Sequence, residues 1–167
     1  MIGIQSRHLA LLIIAVSLLL QGCGFQLRGS TNLPSTIGPL YIQGVGEYEI
    51  LGRELSQMIA FSDIEVVKNA QAATSVLNIT KRASDRRVIS VDGNGNVAEY
   101  ELHEAANFSL TDRQGKALVK DQQVSITGTY LNSETEVLGK QREEGELRKE
   151  MQRDLAAQIM RRLQAQL

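Results

Sequence analysis

The sequence AEYELHEAANFSL, residues 98–110, alternates between apolar and polar side chains along its length. The apolar positions, interrupted by Glu104, are Ala98, Tyr100, Leu102, Ala106, Phe108 and Leu110. The positions between them include Glu99, Glu101, His103, Asn107 and Ser109. A period of two residues is typical of a β-strand with one face against a core and the other in water. The stretch therefore predicts a long strand in a sheet that is covered on one face.

Turn residues lie on both sides of this strand. Residues 92–95 read Asp-Gly-Asn-Gly, and residues 112–115 read Asp-Arg-Gln-Gly. Because Gly and Asn adopt positive φ readily, a tight turn is expected at each place. Further strands are predicted at residues 40–42, 64–67, 76–80, 88–91 and 124–130. The long strand thus belongs to a meander of neighbouring strands.

Two other segments have the period of an amphipathic helix. In residues 47–60 one helical face carries Leu51, Leu55, Met58 and Ile59. From Lys140 onward the chain is rich in good helix formers. Its apolar stripe consists of Leu147, Met151, Leu155, Ile159 and Leu163. Ser133 and Glu136 match a capping box, but Gly139 and Gly145 leave open whether this helix is continuous before Lys140.

These elements together predict the fold class. Two amphipathic helices need an apolar surface to cover, and the sheet offers one apolar face. The sequence therefore predicts an α+β fold, a two-layer sandwich in which two α-helices cover a mixed or antiparallel β-sheet.

The N-terminal residues predict export and a lipid anchor. Arg7 and His8 precede an apolar run that is too short to span a bilayer, which is typical of a secretory signal peptide. Leu20-Gln21-Gly22-Cys23 resembles a bacterial lipobox, in which the cysteine receives an S-diacylglycerol group and, after cleavage, an N-acyl chain. We expect residues 1–22 to be removed, residues 23–38 to act as a lipidated tether and residues 39–167 to form one α+β domain. A plain secretory signal with an incidental Cys23 is the alternative.

Composition argues against several functional classes. The formal net charge is −1, so the basic excess of a nucleic-acid binder is absent. Cys23 is the only cysteine, and His103 is the only histidine outside the signal peptide, which is too few ligands for a structural metal site. No P-loop, G-x-S-x-G or H-E-x-x-H motif occurs. We therefore expect no catalytic residues, no metal and no cofactor apart from the covalent lipid.

Three polar patterns have simple structural interpretations. Residues 92–103 begin like a calcium loop, but Val97 stands where such a loop needs Gly and His103 where it needs Glu, so a turn is expected. His103 is interpreted as a solvent-exposed strand residue. The carboxylate pairs Glu99/Glu101 and Glu143/Glu144 are interpreted as solvated charges.

Two groups of basic residues are candidates for binding phosphate. The first is the segment 81–87, which contains Lys81, Arg82, Arg86 and Arg87. Arginine makes forked contacts with phosphate oxygens, but a wet loop or a charged edge strand explains the segment as well. The second group is Lys140 and Arg142 at the start of the last helix, with a similar alternative.

Three short motifs together resemble the LPS-assembly lipoprotein family, LptE. They are Cys23-Gly24-Phe25-Gln26-Leu27-Arg28-Gly29, Ala98-Glu99-Tyr100-Glu101-Leu102, and Leu147-Arg148-Lys149-Glu150-Met151 with Asp154, Gln158, Ile159, Arg162 and Leu163. The resemblance implies a sheet covered by two helices in an outer-membrane lipoprotein. It also implies a plug on the periplasmic side and inside the LptD β-barrel, which supports assembly of that barrel and insertion of lipopolysaccharide into the outer leaflet.

The resemblance further implies direct lipopolysaccharide binding by basic side chains near the end of the sheet. The basic position at the start of the final helix corresponds to Lys140. A second basic position, in the turn before the Ala-Glu-Tyr motif, is Gly93 here, so Arg86 or Arg87 is expected to take its place, and Arg142 is a further candidate. The alternatives are a free lipid-binding or chaperone-like envelope lipoprotein without a barrel partner, and a periplasmic hydrolase that depends on His103.

Overall fold

The computed structural model describes residues 33–132 and 137–167, with side chains in the second range from residue 142 onward. The elements in chain order are β1 (Leu40–Gln43), α1 (Ile50–Ala60), β2 (Val66–Val67), β3 (Ser75–Val91), β4 (Val97–Asp112), β5 (Ala117–Leu131) and α2 (Val137–Gln164). Short 3-10 turns occupy Ser35–Ile37 and Ala70–Ala72. Five strands and two α-helices confirm the predicted α+β class.

The five strands form one mixed sheet in the order β2-β1-β3-β4-β5. β1 is parallel to β2 and to β3, whereas β3, β4 and β5 form an antiparallel meander. β1 pairs with β3 at residues 75–78 of β3. Beyond that short pairing, β3 has β4 as its one neighbour among the described strands.

One face of the sheet packs against both helices. As predicted, β4 buries alternate side chains there, and Leu102, Ala106, Phe108 and Leu110 are fully buried. The helices contribute side chains to the same core, namely Leu51, Leu55, Ile59, Met151, Leu155, Ala156, Ile159, Met160 and Leu163. Removing this apolar surface from water is the main source of folding free energy.

Neither of the two described α-helices covers the other face of the sheet, whose side chains are mostly polar. The strand positions that alternate with the buried ones point to this face. They include Asn78, Arg87, Glu101, His103, Asn107, Ser109, Thr127 and Thr129. The period of two at residues 98–110 therefore separates a covered face from an uncovered one, as predicted.

The predicted helix boundaries shift by a few residues. α1 begins at Ile50 rather than at residue 47, because the Glu49 carboxylate accepts a hydrogen bond from the Gly46 backbone N–H and closes a turn there. α2 begins at Val137 and runs without a break through both glycines. The proposed capping box at Ser133 and Glu136 lies outside the described residues.

The basic segment lies inside a strand, not between two strands. The predicted strands at residues 76–80 and 88–91 are one continuous strand, because β4 offers backbone partners from Ser75 to Val91. A bulge after Thr80, where Lys81 has φ 45°, interrupts the register. Charges on this stretch suit a strand with a free edge, because they oppose pairing with other chains. The segment is therefore a charged strand edge and not a wet loop, and its role in binding phosphate stays a prediction.

The two predicted turns connect β3 to β4 and β4 to β5. In each, an aspartate at the first position accepts hydrogen bonds from two backbone N–H groups of the turn, at 2.8–2.9 Å. Gly95 and Gly115 have φ values of 85° and 82°, which other residues adopt only with strain. Asp92 and Asp112 thus stabilise equivalent turns at opposite ends of β4.

The N-terminal predictions fall largely outside the described residues. These include the signal peptide, Cys23 and the first part of the tether, so lipidation of Cys23 stays a prediction. Leu33 and Ile37, from the last part of the segment predicted as a tether, are buried in the core. In the part of the chain that the structure describes, no helix is long and apolar enough to cross a membrane.

Candidate functional site

Arg86, Arg87, Lys140 and Arg142 lie toward one end of the sheet, whereas Arg82 pairs with Glu49 at the start of α1. We call this end of the sheet the hairpin end, and it comprises the turn at residues 92–96, the adjoining parts of β3 and β4, the last residues of β5 and the start of α2. Arg86 lies on the helix-covered face of β3, opposite Leu102 in the register, whereas Arg87 points to the uncovered face. The two arginines therefore cannot grip the same ligand group from one side.

Each of these arginines already has a carboxylate partner. Arg87 Nη2 lies 2.7 Å from Glu101 Oε1 on the uncovered face. Arg86 Nη1 lies 2.9 Å from Glu144 Oε2, on α2. Arg142 is exposed, and it has no ion pair among the described side chains. The backbone of Lys140 is helical, and its side chain lies outside the described set.

Glu144 is the centre of a hydrogen-bond network. Its carboxylate accepts hydrogen bonds from Arg86 Nη1 at 2.9 Å, from Tyr130 Oη at 2.7 Å, and from Arg148 Nε and Nη2 at 3.0 and 2.9 Å. The donors belong to β3, β5 and α2, so one carboxylate joins three elements. Glu144 was interpreted as a solvated charge, and that interpretation is wrong because the sheet and helix enclose most of its side chain.

A second carboxylate lies deeper in the same network. Glu104, whose side chain is 6% exposed, is the residue that interrupts the apolar positions of β4. Arg148 Nη1 lies 2.9 Å from Glu104 Oε1, and the Ser84 hydroxyl donates a hydrogen bond to the same oxygen. A buried carboxylate is costly unless it is paired and hydrogen-bonded, and here both conditions are met.

Aromatic rings complete the network. Tyr100 and Tyr130 are stacked with ring centroids 5.5 Å apart. The Arg86 guanidinium lies over the Tyr100 ring, 4.5 Å from its centroid, which is a cation–π arrangement. Arg86 is thus held by a ring and by a carboxylate while nearly half of its side chain stays exposed.

The surroundings shift the pKa values of two of these groups. Burial alone would raise the pKa of Glu144, but hydrogen bonds from Tyr130, Arg148 and Arg86 outweigh it and the pKa is lowered. Burial and the nearby Glu144 carboxylate raise the pKa of Tyr130. At neutral pH Glu144 is therefore an anion and Tyr130 a neutral hydrogen-bond donor.

Exposed apolar side chains occur at the same end. Val88, Val91 and Leu131 are 48%, 59% and 66% exposed. Val88 pairs with Tyr100, Val91 with Val97, and Leu131 with Glu99 in the strand register. The hairpin end therefore combines cations with apolar surface.

His103 lies on the uncovered face, where its side chain is partly exposed. Its Nδ1 is 3.8 Å from Asp85 Oδ2, and Thr127 faces it across the β4–β5 pairing. The predicted position on a polar strand face is confirmed.

Sequence reasoning missed Glu104, Tyr130, Glu144 and Arg148 as members of one site. Two signals were available. A carboxylate among the inward positions of a strand requires a buried cation, and Glu144 and Arg148 have the i, i+4 spacing of a helical ion pair. The contact of Arg86 with Glu144 had no such signal, because 58 positions separate the two residues.

Comparisons with known proteins agree with this architecture. The family model described as LptE, Lipopolysaccharide-assembly, matches residues 37–163. The curated LPS-assembly lipoprotein LptE of Yersinia pestis (strain Pestoides F) is 28% identical over 162 residues, which cover 95% of this chain and 76% of the relative.

Solved structures of two bacterial lipoproteins share the fold. The solution NMR structure of an uncharacterized lipoprotein B from Nitrosomonas europaea has a TM-score of 0.68 and 28% identity, and the alignment covers 85% of this chain and 91% of that one. The crystal structure of the rare lipoprotein B from Shewanella oneidensis has a TM-score of 0.64 and 27% identity, with 75% and 93% covered. Since the family match covers all five strands, α1 and α2 as far as residue 163, the chain belongs to the LptE family and has a role in lipopolysaccharide assembly.

Proposed function

We propose that this protein is a lipid-anchored plug and scaffold subunit of the outer-membrane lipopolysaccharide translocon. In this role it supports assembly of the LptD β-barrel and insertion of lipopolysaccharide into the outer leaflet, and it binds lipopolysaccharide directly. The observation that carries the proposal is the combination of cations and exposed apolar side chains at the hairpin end. A lipid with anionic groups and acyl chains needs both kinds of contact.

The cations of this surface come from two elements. Arg86 lies on β3, two residues from the exposed Val88. Arg142 is on α2, within one helical turn of Glu144, which contacts Arg86. Lys140, which the family resemblance implicates, is in the same turns of α2. Arg87 points to the uncovered face of the sheet, so we expect it to contribute less to binding than Arg86.

The uncovered sheet face supports the plug role. Its side chains are mostly polar and include Thr127 and Thr129, both exposed, with Leu131 as an apolar exception. The interior of a large outer-membrane barrel is also polar, so such a face can lie against it while burying little apolar surface. Tight apolar packing on one face and a polar second face suit a rigid domain enclosed by a partner.

Co-purification tests the partner. A tagged, full-length chain is recovered from detergent-solubilised outer membranes and run on a gel with and without boiling. We expect a large, heat-modifiable barrel protein in equal amount, identified as LptD by mass. Recovery of the lipoprotein alone would favour the free lipid-binding or chaperone-like alternative.

Charge reversal at the hairpin end tests the ligand. Lys140→Glu and Arg142→Glu are expected to weaken lipopolysaccharide binding, because each replaces a cation by a repelling charge. Lys116→Glu, in the exposed turn at the opposite end of the sheet, is the matched control and should bind like the wild type. Equal losses from all three variants would show a general charge effect and no site.

The lipid anchor and the apolar core are expected to contribute unequally to function. Cys23→Ser removes the predicted lipid but leaves the contact surfaces, so partial function should persist. Leu155→Asp places a charge in the apolar core and should abolish function together with folding. Complementation of a depleted strain compares the two, and the reverse ranking would contradict the plug model.

A further inference from the structure

Glu144 occupies a position that could hold an anion supplied by a ligand. Three side chains from three elements direct hydrogen-bond donors at its carboxylate, namely Arg86, Tyr130 and Arg148. Two of these donors are arginines, whose planar guanidinium groups match carboxylate and phosphate oxygens equally well. A phosphate in place of this carboxylate would meet the same donors.

Among the described side chains that contact one another here, the charges balance only while Glu144 is present. Arg86 and Arg148 are the cations, and Glu104 and Glu144 are the carboxylates. Glu104 is buried and directly paired with Arg148, so it stays in place. Withdrawal of the Glu144 carboxylate would leave one uncompensated positive charge beside the exposed apolar residues, and this charge favours an incoming anion.

The helix has a weak point directly after Glu144. Gly145 follows it, and a Cβ built on this glycine would meet nothing within 4 Å. No close approach therefore requires glycine here, although glycine is among the poorest helix formers. C-terminal to this point, α2 is held by the buried side chains of Met151 and Leu155. Of the described side chains of α2 that precede Gly145, which begin at Arg142, Glu144 is the one that forms hydrogen bonds to the sheet.

We infer that Arg86, Arg148 and Tyr130 form a phosphate-binding site, that the Glu144 carboxylate occupies it in the free protein, and that a phosphate monoester of the glycolipid displaces this carboxylate as the start of α2 pivots at Gly145. The inference rests on the proposed function, since it names the ligand group and its internal competitor at the same end of the molecule. It adds Arg148 and Tyr130 to the binding residues.

Binding by a Glu144→Gln variant tests the competitor. Glutamine keeps the shape and a hydrogen-bond acceptor but loses the charge, so the internal competitor becomes weaker. We expect affinity for phosphorylated lipopolysaccharide to rise about fivefold or more, within the range typical of couplings between two binding events. Glu143→Gln is the matched control, because Glu143 is the neighbouring exposed carboxylate and its loss changes net charge by the same amount.

A Gly145→Ala variant tests the pivot. Alanine favours the helical state, and we expect it to slow hydrogen exchange of the backbone amides around residue 145 and to weaken lipopolysaccharide binding by about fivefold. Asp154→Ala makes a similar change of helix propensity at an exposed position beyond the pivot, and it should leave the affinity unchanged.

Three ligands separate the sources of the phosphate group. They are lipopolysaccharide, the same lipopolysaccharide after enzymatic removal of its phosphates, and inorganic phosphate. The gain in affinity of Glu144→Gln should be seen with intact lipopolysaccharide and should vanish with the dephosphorylated form. Inorganic phosphate should compete with intact lipopolysaccharide for the variant.

The outcomes distinguish this inference from the proposed function. Wild-type binding of lipopolysaccharide without a gain in Glu144→Gln, or with an equal gain in Glu143→Gln, would overturn the site and leave the proposed function in place. No binding of lipopolysaccharide by any variant, with inorganic phosphate still bound by Glu144→Gln, would overturn the proposed function and leave the anion site. Absence of both would overturn both.

Discussion

Near the turn between β4 and β5, the space between sheet and helices is filled by buried apolar side chains such as Phe108, Ile159 and Leu163, whereas at the hairpin end the equivalent space contains Glu104 and Arg148. The first region belongs to one large apolar cluster. Among the described side chains, the second has a smaller apolar cluster, formed by Leu102, Tyr130 and Met151. We call the first region the apolar end, and the second belongs to the hairpin end.

The two ends differ in what their interactions can do. Apolar burial is non-directional and contributes most of the folding free energy. Buried ion pairs contribute little net free energy, because desolvation offsets much of the attraction between the charges. Their contacts are directional, however, and a ligand with the same chemistry can replace one partner. The apolar end therefore maintains the fold, while the hairpin end is suited to binding.

The largest expected effect is at the apolar end. Phe108→Ala removes a fully buried ring and leaves a cavity, so we expect a loss of about 3–5 kcal/mol in the free energy of unfolding. Urea denaturation followed by circular dichroism measures it. Val91→Ala, at an exposed position of the hairpin end, should change stability by less than about 0.5 kcal/mol. Similar losses from both variants would remove the distinction between the two ends.

Breaking the buried ion pair should have an intermediate effect. Glu104→Gln leaves Arg148 with one carboxylate instead of two, and we expect a loss of about 1–3 kcal/mol in unfolding free energy. The double variant Glu104→Leu with Arg148→Met should be closer to wild type than the single variant, since it leaves no buried charge at that pair. A double variant that is less stable than Glu104→Gln would show that the pair itself contributes substantial stability.

Removing one hydroxyl should have a smaller effect. Tyr130→Phe deletes the hydrogen bond to Glu144 but keeps the ring stack with Tyr100, so a loss of about 1 kcal/mol is expected. Tyr48→Phe is the control, because Tyr48 is 91% exposed. Thermal unfolding of the two variants side by side gives the difference, and equal melting temperatures would count against the hydrogen bond.

The smallest expected effect is a change of folding stability with pH. The pKa of Glu144 is lower in the folded protein than its ordinary value of 4.5, so the folded state binds its proton less readily than the unfolded state. The contribution of the Glu144 carboxylate to folding stability is complete at pH values above its ordinary pKa. It is lost as the pH falls through the lowered pKa of the folded state. The stability difference between wild type and Glu144→Gln should therefore shrink as the pH falls from about 5 through the lowered pKa. A difference that is constant over this range would contradict the role of the charge.

Local sequence periodicity predicted most of the fold. Residues 98–110 predicted a strand covered on one face, and the apolar stripe of the last helix identified the side chains that α2 buries. The strand at the basic segment was harder to predict. Arg86 and Ser84 occupy inward positions there, so the polar and apolar residues do not alternate in the usual way.

The site was less predictable than the fold, and Arg86 shows why. It was singled out as a possible phosphate ligand, and the structure places it at the end of the sheet beside α2. Its pairing with Glu144 and its stacking on Tyr100 depend on groups from three separate elements. Glu144 itself looked like one of two equivalent helix carboxylates, and only Glu144 faces the sheet.

The sequence alone determined the order of strands and helices along the chain, their polar and apolar faces, and the positions of the two turns. Each of these depends on residues within a few positions of one another. Tertiary structure decided which cation meets which carboxylate. Arg148 lies 44 positions from Glu104, and contact between them depends on the register of β4 in the sheet and on where α2 crosses it. Charges attract at any separation in sequence, but they form a hydrogen-bonded network only where the packed backbone brings them within about 3 Å.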